Sequence, residues 1–269
     1  MTELLDERGS LGSRRLGGIA WPLALPVLRV IMVGLACTAA WLVTLAATGG
    51  GAFPPPTLVA VVAMLPVNVA CLWLVARLVR RDGGRLRDLV GARRGHVLRD
   101  ILWGVLWLFV LYIPFSLTIV LTMWLLHGDE TLARFETAFF DAATLPPFDT
   151  VAWSVLAIIA VITFAPLNAP AEEFVYRGYA QRGLTRRLPV WVGIGVPAAI
   201  YALQHVFYAP TPDAVVVFVA AFFVWGLGAG IIAHRQGRLL PIIVAHGLVN
   251  LLMTLPALVI PFVATGVTP

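Results

Sequence analysis

The stretch VAWSVLAIIAVITFAPLNAPAEEFVYRGYAQRGLTRR, Val151 to Arg187, decides the reading of this chain. Residues 151–169 carry no charge, and a run of about 20 apolar residues is what a bilayer crossing requires. Two adjacent carboxylates, Glu172 and Glu173, follow at once. Ionisable groups at membrane depth are expensive, so they mark a functional site and need partners.

The rest of the chain is of the same kind. Of its 269 residues 60% are hydrophobic and 12% charged, and its mean hydropathy is +0.90. A soluble domain carries about 25% charge, so the sequence is read as an all-α, polytopic membrane helix bundle. The formal charge of +5 does not point to nucleic acid, because the arginines are segregated into loops, as membrane topology requires. Cys37 and Cys71 sit inside apolar runs and read as small apolar filler. The charged N-terminus, with no small-residue cleavage site after the first apolar run, reads as an uncleaved segment rather than a signal peptide.

Charge-free runs give the spans. The first covers residues 30–47 or starts nearer Trp21, with Arg29 at its cytoplasmic end, and the second covers residues 57–76. Residues 77–100, with eight arginines and three aspartates, are the strongest cytoplasmic marker. A third span covers residues 101–126, and the acidic segment 127–150 belongs outside. The fourth span is expected to break at Pro166 and Pro170, which cannot continue a helix interior cleanly. Asn168 or Ala169 would then cap a new helix carrying the glutamates. Further spans follow at residues 191–208, 214–233 and 239–260. The total is seven or eight membrane helices with the N-terminus in the cytoplasm.

Two other ionisable side chains lie well inside the later spans, His205 and His246. The turn at Leu188 and Pro189 joins two antiparallel helices. Glu172 lies 16 residues before Leu188 and His205 lies 16 residues after Pro189, so both sit about 24 Å from the turn. His246 shares a helix face with Asn250 one turn later, about 11 Å inside the last span. Glu173 and Arg177 are spaced i, i+4, which favours a charge-assisted pair and leaves Glu172 free. The run Gly226, Gly228, Gly230 fits close helix packing. His96, His127 and His234 lie at loop or span ends and read as solvated or interfacial.

A carboxylate, two imidazoles and an amide in a dry site form a hydrolytic set. Glu172 would take a proton from water as general base. One histidine would hold that water, while the other, with Asn250, would donate to the oxyanion at the scissile carbonyl. The rival chemistry is a divalent metal such as zinc on Glu172, His205 and His246. The HExxH signature of the common zinc proteases is absent, as is a GxSxG elbow.

The residues EEFVYRG (Glu172 to Gly178) resemble the EExxxR motif of the CPBP family, the CAAX-protease and bacteriocin-processing (Abi) intramembrane proteases. YALQH (Tyr201 to His205) resembles its FxxxH motif, with tyrosine in place of phenylalanine, and HGLVN (His246 to Asn250) resembles its HxxxN motif. Three such motifs in order on separate membrane helices are specific. The resemblance covers residues 151–260, and the first three helices carry no motif of the family.

What the resemblance implies is a membrane endopeptidase, called a metalloprotease by convention, with a cavity open to the cytoplasm. Glu172 and His205 would activate water, His246 and Asn250 would form the oxyanion site, and Glu173 and Arg177 would support them, with no tightly bound metal. The chain then divides into a cytoplasmic tail (1–20), N-terminal transmembrane helices (21–150) and a CAAX-protease-like catalytic membrane domain (151–262). The expected substrate is a membrane-associated protein or peptide, CAAX-like or lipidated, at the cell membrane. A non-catalytic binding or immunity protein using the same cavity is the alternative. A proton-coupled transporter is less favoured, because no inverted repeat is evident.

Overall fold

The structure is a computed structural model that describes residues 18–91, 95–140, 146 and 148–259. Most of the N-terminal tail, Arg93 and Arg94, part of the acidic segment, and the last residues of the C-terminal run lie outside the described residues. Among the described residues all regular structure is helical, and seven helices are long and apolar enough to cross a membrane. The chain is therefore a multi-pass helical membrane protein, with the lower of the two expected helix counts.

Helix α1 (Ala20–Thr48) ends on Gly49, whose φ of 70° lets its N–H reach back to the Leu45 carbonyl without the clash a side chain would meet. Helix α2 (Thr57–Arg81) follows, then the short α3 (Leu86–Val90) and the long α4 (Val97–His127). A 3₁₀ turn leads into α5 (Thr131–Phe139). Helix α6 (Thr150–Glu173) starts on Asp149, whose side chain accepts from the Ala152 N–H at 2.7 Å. It passes into a π-helical segment (Phe174–Gln181) and then α7 (Arg182–Thr185). Helix α8 (Val190–Leu203) ends in a 3₁₀ segment (Gln204–Tyr208), and α9 (Pro212–Gln236) and α10 (Leu240–Thr254) complete the bundle.

The expected break at Pro166 and Pro170 does not occur. Both prolines lie inside the continuous α6. Each removes one backbone N–H, but in a membrane bundle neighbouring helices and local helical adjustment absorb that loss. The irregularity comes later, where α6 widens into the π-helical segment just after the two glutamates. π-Helical turns are rare and tend to occur at functional sites.

The connections collect at two opposite ends. At the basic end, Arg182 donates to the carbonyls of Leu89 (3.0 Å) and Gly237 (3.2 Å), and the Leu239 N–H donates to Val90 (3.0 Å). Arg238 pairs with the buried Asp100 at 2.9 Å. At the other end, His127 Nε2 meets Asp213 Oδ2 at 2.9 Å, and the Thr211 hydroxyl donates to Ala138. His127, expected to be merely solvated or interfacial, thus ties α4 to α9.

The glycine run on α9 packs as expected. A β-carbon at Gly226 would lie 3.1 Å from Ala198, and one at Gly230 would lie 2.8 Å from both Gln181 and Ile194. The close approach also exposes α9 carbonyls to side chains of the π-helical segment: Gln181 donates to Gly230 at 2.8 Å and Arg177 to Gly226 at 3.4 Å.

Candidate active site

Glu173 is fully buried and its Oε1 accepts from two donors, Arg177 Nη1 at 3.1 Å and His246 Nδ1 at 2.8 Å. The Arg177 guanidinium also lies 4.5 Å from the centroid of the Tyr201 ring, a cation–π contact strengthened by the dry surroundings. The expected i, i+4 pair is therefore present. Because an ionised carboxylate only accepts, Nδ1 of His246 is the donor. Its Nε2 is then turned towards Glu172, 3.6 Å from Oε2.

Glu172, in contrast, is not left free. Its Oε1 accepts from Arg29 Nη2 and from Gln204 Nε2, both at 2.9 Å. Arg29 Nη2 also reaches Asn68 Oδ1 and Asn168 Oδ1, each at 3.0 Å, and Arg29 Nε donates to Gln204 Oε1 at 3.2 Å. The Tyr176 hydroxyl donates to the same Gln204 oxygen at 3.0 Å. Glu172 Oε2 is buried and has no hydrogen-bond partner among the described residues.

Arg29 is thereby corrected from a marker of the cytoplasmic end to a core residue with 0% exposure. The physical reason is helix length: α1 begins at Ala20, which places Arg29 about 14 Å along it. A guanidinium at that depth needs a carboxylate and further acceptors, and it has them.

His205 is half-buried and reaches the cluster indirectly. Its Nδ1 donates to the Tyr201 carbonyl at 2.9 Å, so Nε2 of the neutral ring is left as an acceptor. The ring stacks on Phe222 at 3.4 Å and lies 4.9 Å from the Tyr201 ring, which in turn is 6.4 Å from His246. The matched heights inferred for Glu172 and the histidine hold one residue away, since Gln204 makes the contact. Asn250 is buried one turn beyond His246, and its Nδ2 has no hydrogen-bond partner among the described residues.

The set does not fit a bound divalent metal. Among the described residues no three His, Cys, Asp or Glu side chains are placed to hold one. The two carboxylates are already matched by two guanidiniums.

Of the residues expected from spacing, Glu172, Glu173, Arg177 and His246 share one network, with His205 and Asn250 at its border. Arg29, Asn68, Asn168 and Gln204, to which spacing does not point, belong to the network as well. Their signal is available in the sequence: each is a polar residue inside an apolar run, which in a membrane needs a partner as a charge does.

This is a polytopic membrane protein with a buried Glu/His/Arg centre. Over residues 151–252 it is similar to the family model described as Rce1-like, Type II CAAX prenyl endopeptidase Rce1-like. No curated protein and no solved structure matches the chain closely enough to count as a relative. The match supports a peptidase of the CAAX type that works within the membrane.

Proposed function

We propose that the protein is an intramembrane endopeptidase that hydrolyses a peptide bond near the C-terminus of a CAAX-like or otherwise lipidated membrane protein, using water activated by Glu172. The observation that carries this reading is the asymmetry of the Glu172 carboxylate. Oε1 takes two donors, while Oε2 has none and faces His246 Nε2.

In this reading a water between Glu172 Oε2 and His205 Nε2 gives its proton to the carboxylate and attacks the scissile carbonyl carbon. Negative charge then moves to the carbonyl oxygen. Asn250 Nδ2 is the donor assigned to it, and His246 Nε2 becomes a second one when it carries a proton. Glu173 fixes the His246 ring through Nδ1, as outer-shell carboxylates do for imidazoles elsewhere. Collapse of the tetrahedral intermediate breaks the C–N bond, and Glu172 returns its proton to the leaving amine. No step passes through a metal.

The basic end is assigned to the cytoplasm by the positive-inside rule, which places the N-terminus there and the end of α10 outside. The family description makes a prenylated cysteine a natural recognition element of the substrate.

The test compares new protein C- and N-termini in membranes of cells expressing wild type or Glu172→Gln at matched levels. Termini that appear with wild type alone support proteolysis and identify the substrate. A Glu172→Gln protein that generates the same termini overturns the role given to Glu172.

A further inference from the structure

The helix that supplies Arg29 lies outside the segment 151–252 that matches the peptidase family. Yet its guanidinium is joined to four side chains on three other elements: Asn68 on α2, Asn168 and Glu172 on α6, and Gln204 on the 3₁₀ segment after α8. A guanidinium that merely neutralises a carboxylate favours the two-pronged grip, with one N–H on each oxygen. Here the grip is one-pronged. Nη2 alone meets Oε1, and three amide oxygens hold the guanidinium in that pose.

The consequence is a division of labour within one carboxylate. The donors Arg29 and Gln204 converge on Oε1, which cannot swing towards a water without breaking two bonds of 2.9 Å. Oε2 is correspondingly held towards His246. We infer that Arg29 is a positioning residue: it anchors Oε1 of Glu172 so that Oε2 is the oxygen presented to the water and the scissile bond. This rests on the reading of Glu172 as general base. It also gives the N-terminal helices a part in the reaction, since α1 and α2 supply the anchor and one of its clamps.

The test uses the full-length protein in proteoliposomes and a quenched-fluorescent peptide ending in a farnesylated cysteine and three residues. Arg29→Lys keeps the charge but not the planar fork. It is expected to fold at the wild-type level, to lower kcat about 100-fold with KM unchanged, as a misplaced reacting group does, and to lower the residual rate of Glu172→Gln no further. Asn68→Leu, which removes one clamp and no charge, is expected to lower kcat about 10-fold, on the same ground of misplacement. Wild-type kcat in both variants overturns the inference and leaves Glu172 as base. Wild-type kcat in Glu172→Gln instead overturns the functional reading, and a wild type that cleaves neither this peptide nor any membrane protein in the termini comparison overturns it too.

Folding is separated by a further pair. Arg29→Gln strands a buried carboxylate and is expected to lower the protein level. Arg29→Gln combined with Glu172→Gln replaces both charges by amides and is expected to restore it. A double variant no more stable than the single one overturns the pairing on which the anchor depends, whatever the peptide shows.

Discussion

Glu172 and Glu173 are neighbours in the chain, and each is paired with one arginine, but the two pairs are built differently. Glu173 is served by its own helix, through Arg177 four residues on, and by His246. Glu172 is served from across the bundle, by a residue 143 positions earlier. The first pair ties the π-helical segment to α9 and α10 and sets the orientation of one imidazole. The second ties α1, α2, α6 and the end of α8 together around one oxygen atom. In the proposed reaction the local pair shapes the surroundings of the chemistry, and the long-range pair holds the group that performs it.

The largest effect should separate the two glutamates. Glu172→Gln is expected to lower kcat by about 10³-fold, within the range general-base catalysis contributes, with KM little changed. Glu173→Gln keeps an acceptor for His246 and should lose about 10-fold, as outer-shell substitutions do. Steady-state cleavage of the farnesylated peptide measures both. Equal losses in kcat would break the distinction between a reacting and a supporting carboxylate. Next in size is Asn250→Ala, which removes an unpaired buried donor; a drop in kcat of about 10²-fold is expected, comparable to loss of one oxyanion donor elsewhere. If Asn250→Ala instead raises KM alone, its amide binds substrate and is not part of the oxyanion site.

The same contrast decides how much of the molecule was legible in its sequence. Local relations were readable: the i, i+4 pair of Glu173 and Arg177, the shared face of His246 and Asn250, and the glycine run all follow from helical period. The helical membrane fold was equally plain from the charge-free runs. What escaped is of three kinds. Arg29 stood near the end of an apolar run, and its distance from the helix start depended on where α1 began, which periodicity fixes poorly. Asn68, Asn168 and Gln204 carry no charge and so stand out less in an apolar run, although their amides need partners as much as charges do; Asn168 accepts from Arg29 inside α6 and does not cap a helix. Proline breaks a helix in water, whereas α6 runs on through both prolines and its local irregularity follows the glutamates.

Stability gives a further test. Arg177→Met leaves Glu173 buried with one donor in place of two, and breaking a buried pair costs about 3–5 kcal/mol. Thermal unfolding in detergent should show a marked fall in the midpoint. Gly226→Ala should destabilise less, about 1–3 kcal/mol from overpacking, because its new methyl would meet the backbone of Ala198 at 3.1 Å. A Gly226→Ala protein as unstable as Arg177→Met would mean that helix contact, rather than the ion pair, keeps the Glu173 side together.

The smallest effect is expected at Tyr201, the position where the resembling motif has phenylalanine. Its main-chain carbonyl accepts from His205, and its ring meets Arg177, Tyr176 and both histidines. None of these contacts uses the hydroxyl, and phenylalanine offers Arg177 a ring face as well. Tyr201→Phe should therefore change kcat and KM by less than about 2-fold, since the charge-bearing groups and their spacing are retained. Tyr201→Ala removes the aromatic wall between His205 and His246 along with the nearer of two rings facing Arg177, so it should act on the Glu173 side and lower stability before it lowers kcat. A large fall in kcat for Tyr201→Phe at unchanged stability would assign the hydroxyl to the reaction, and the two-glutamate account would then need a third acid–base group.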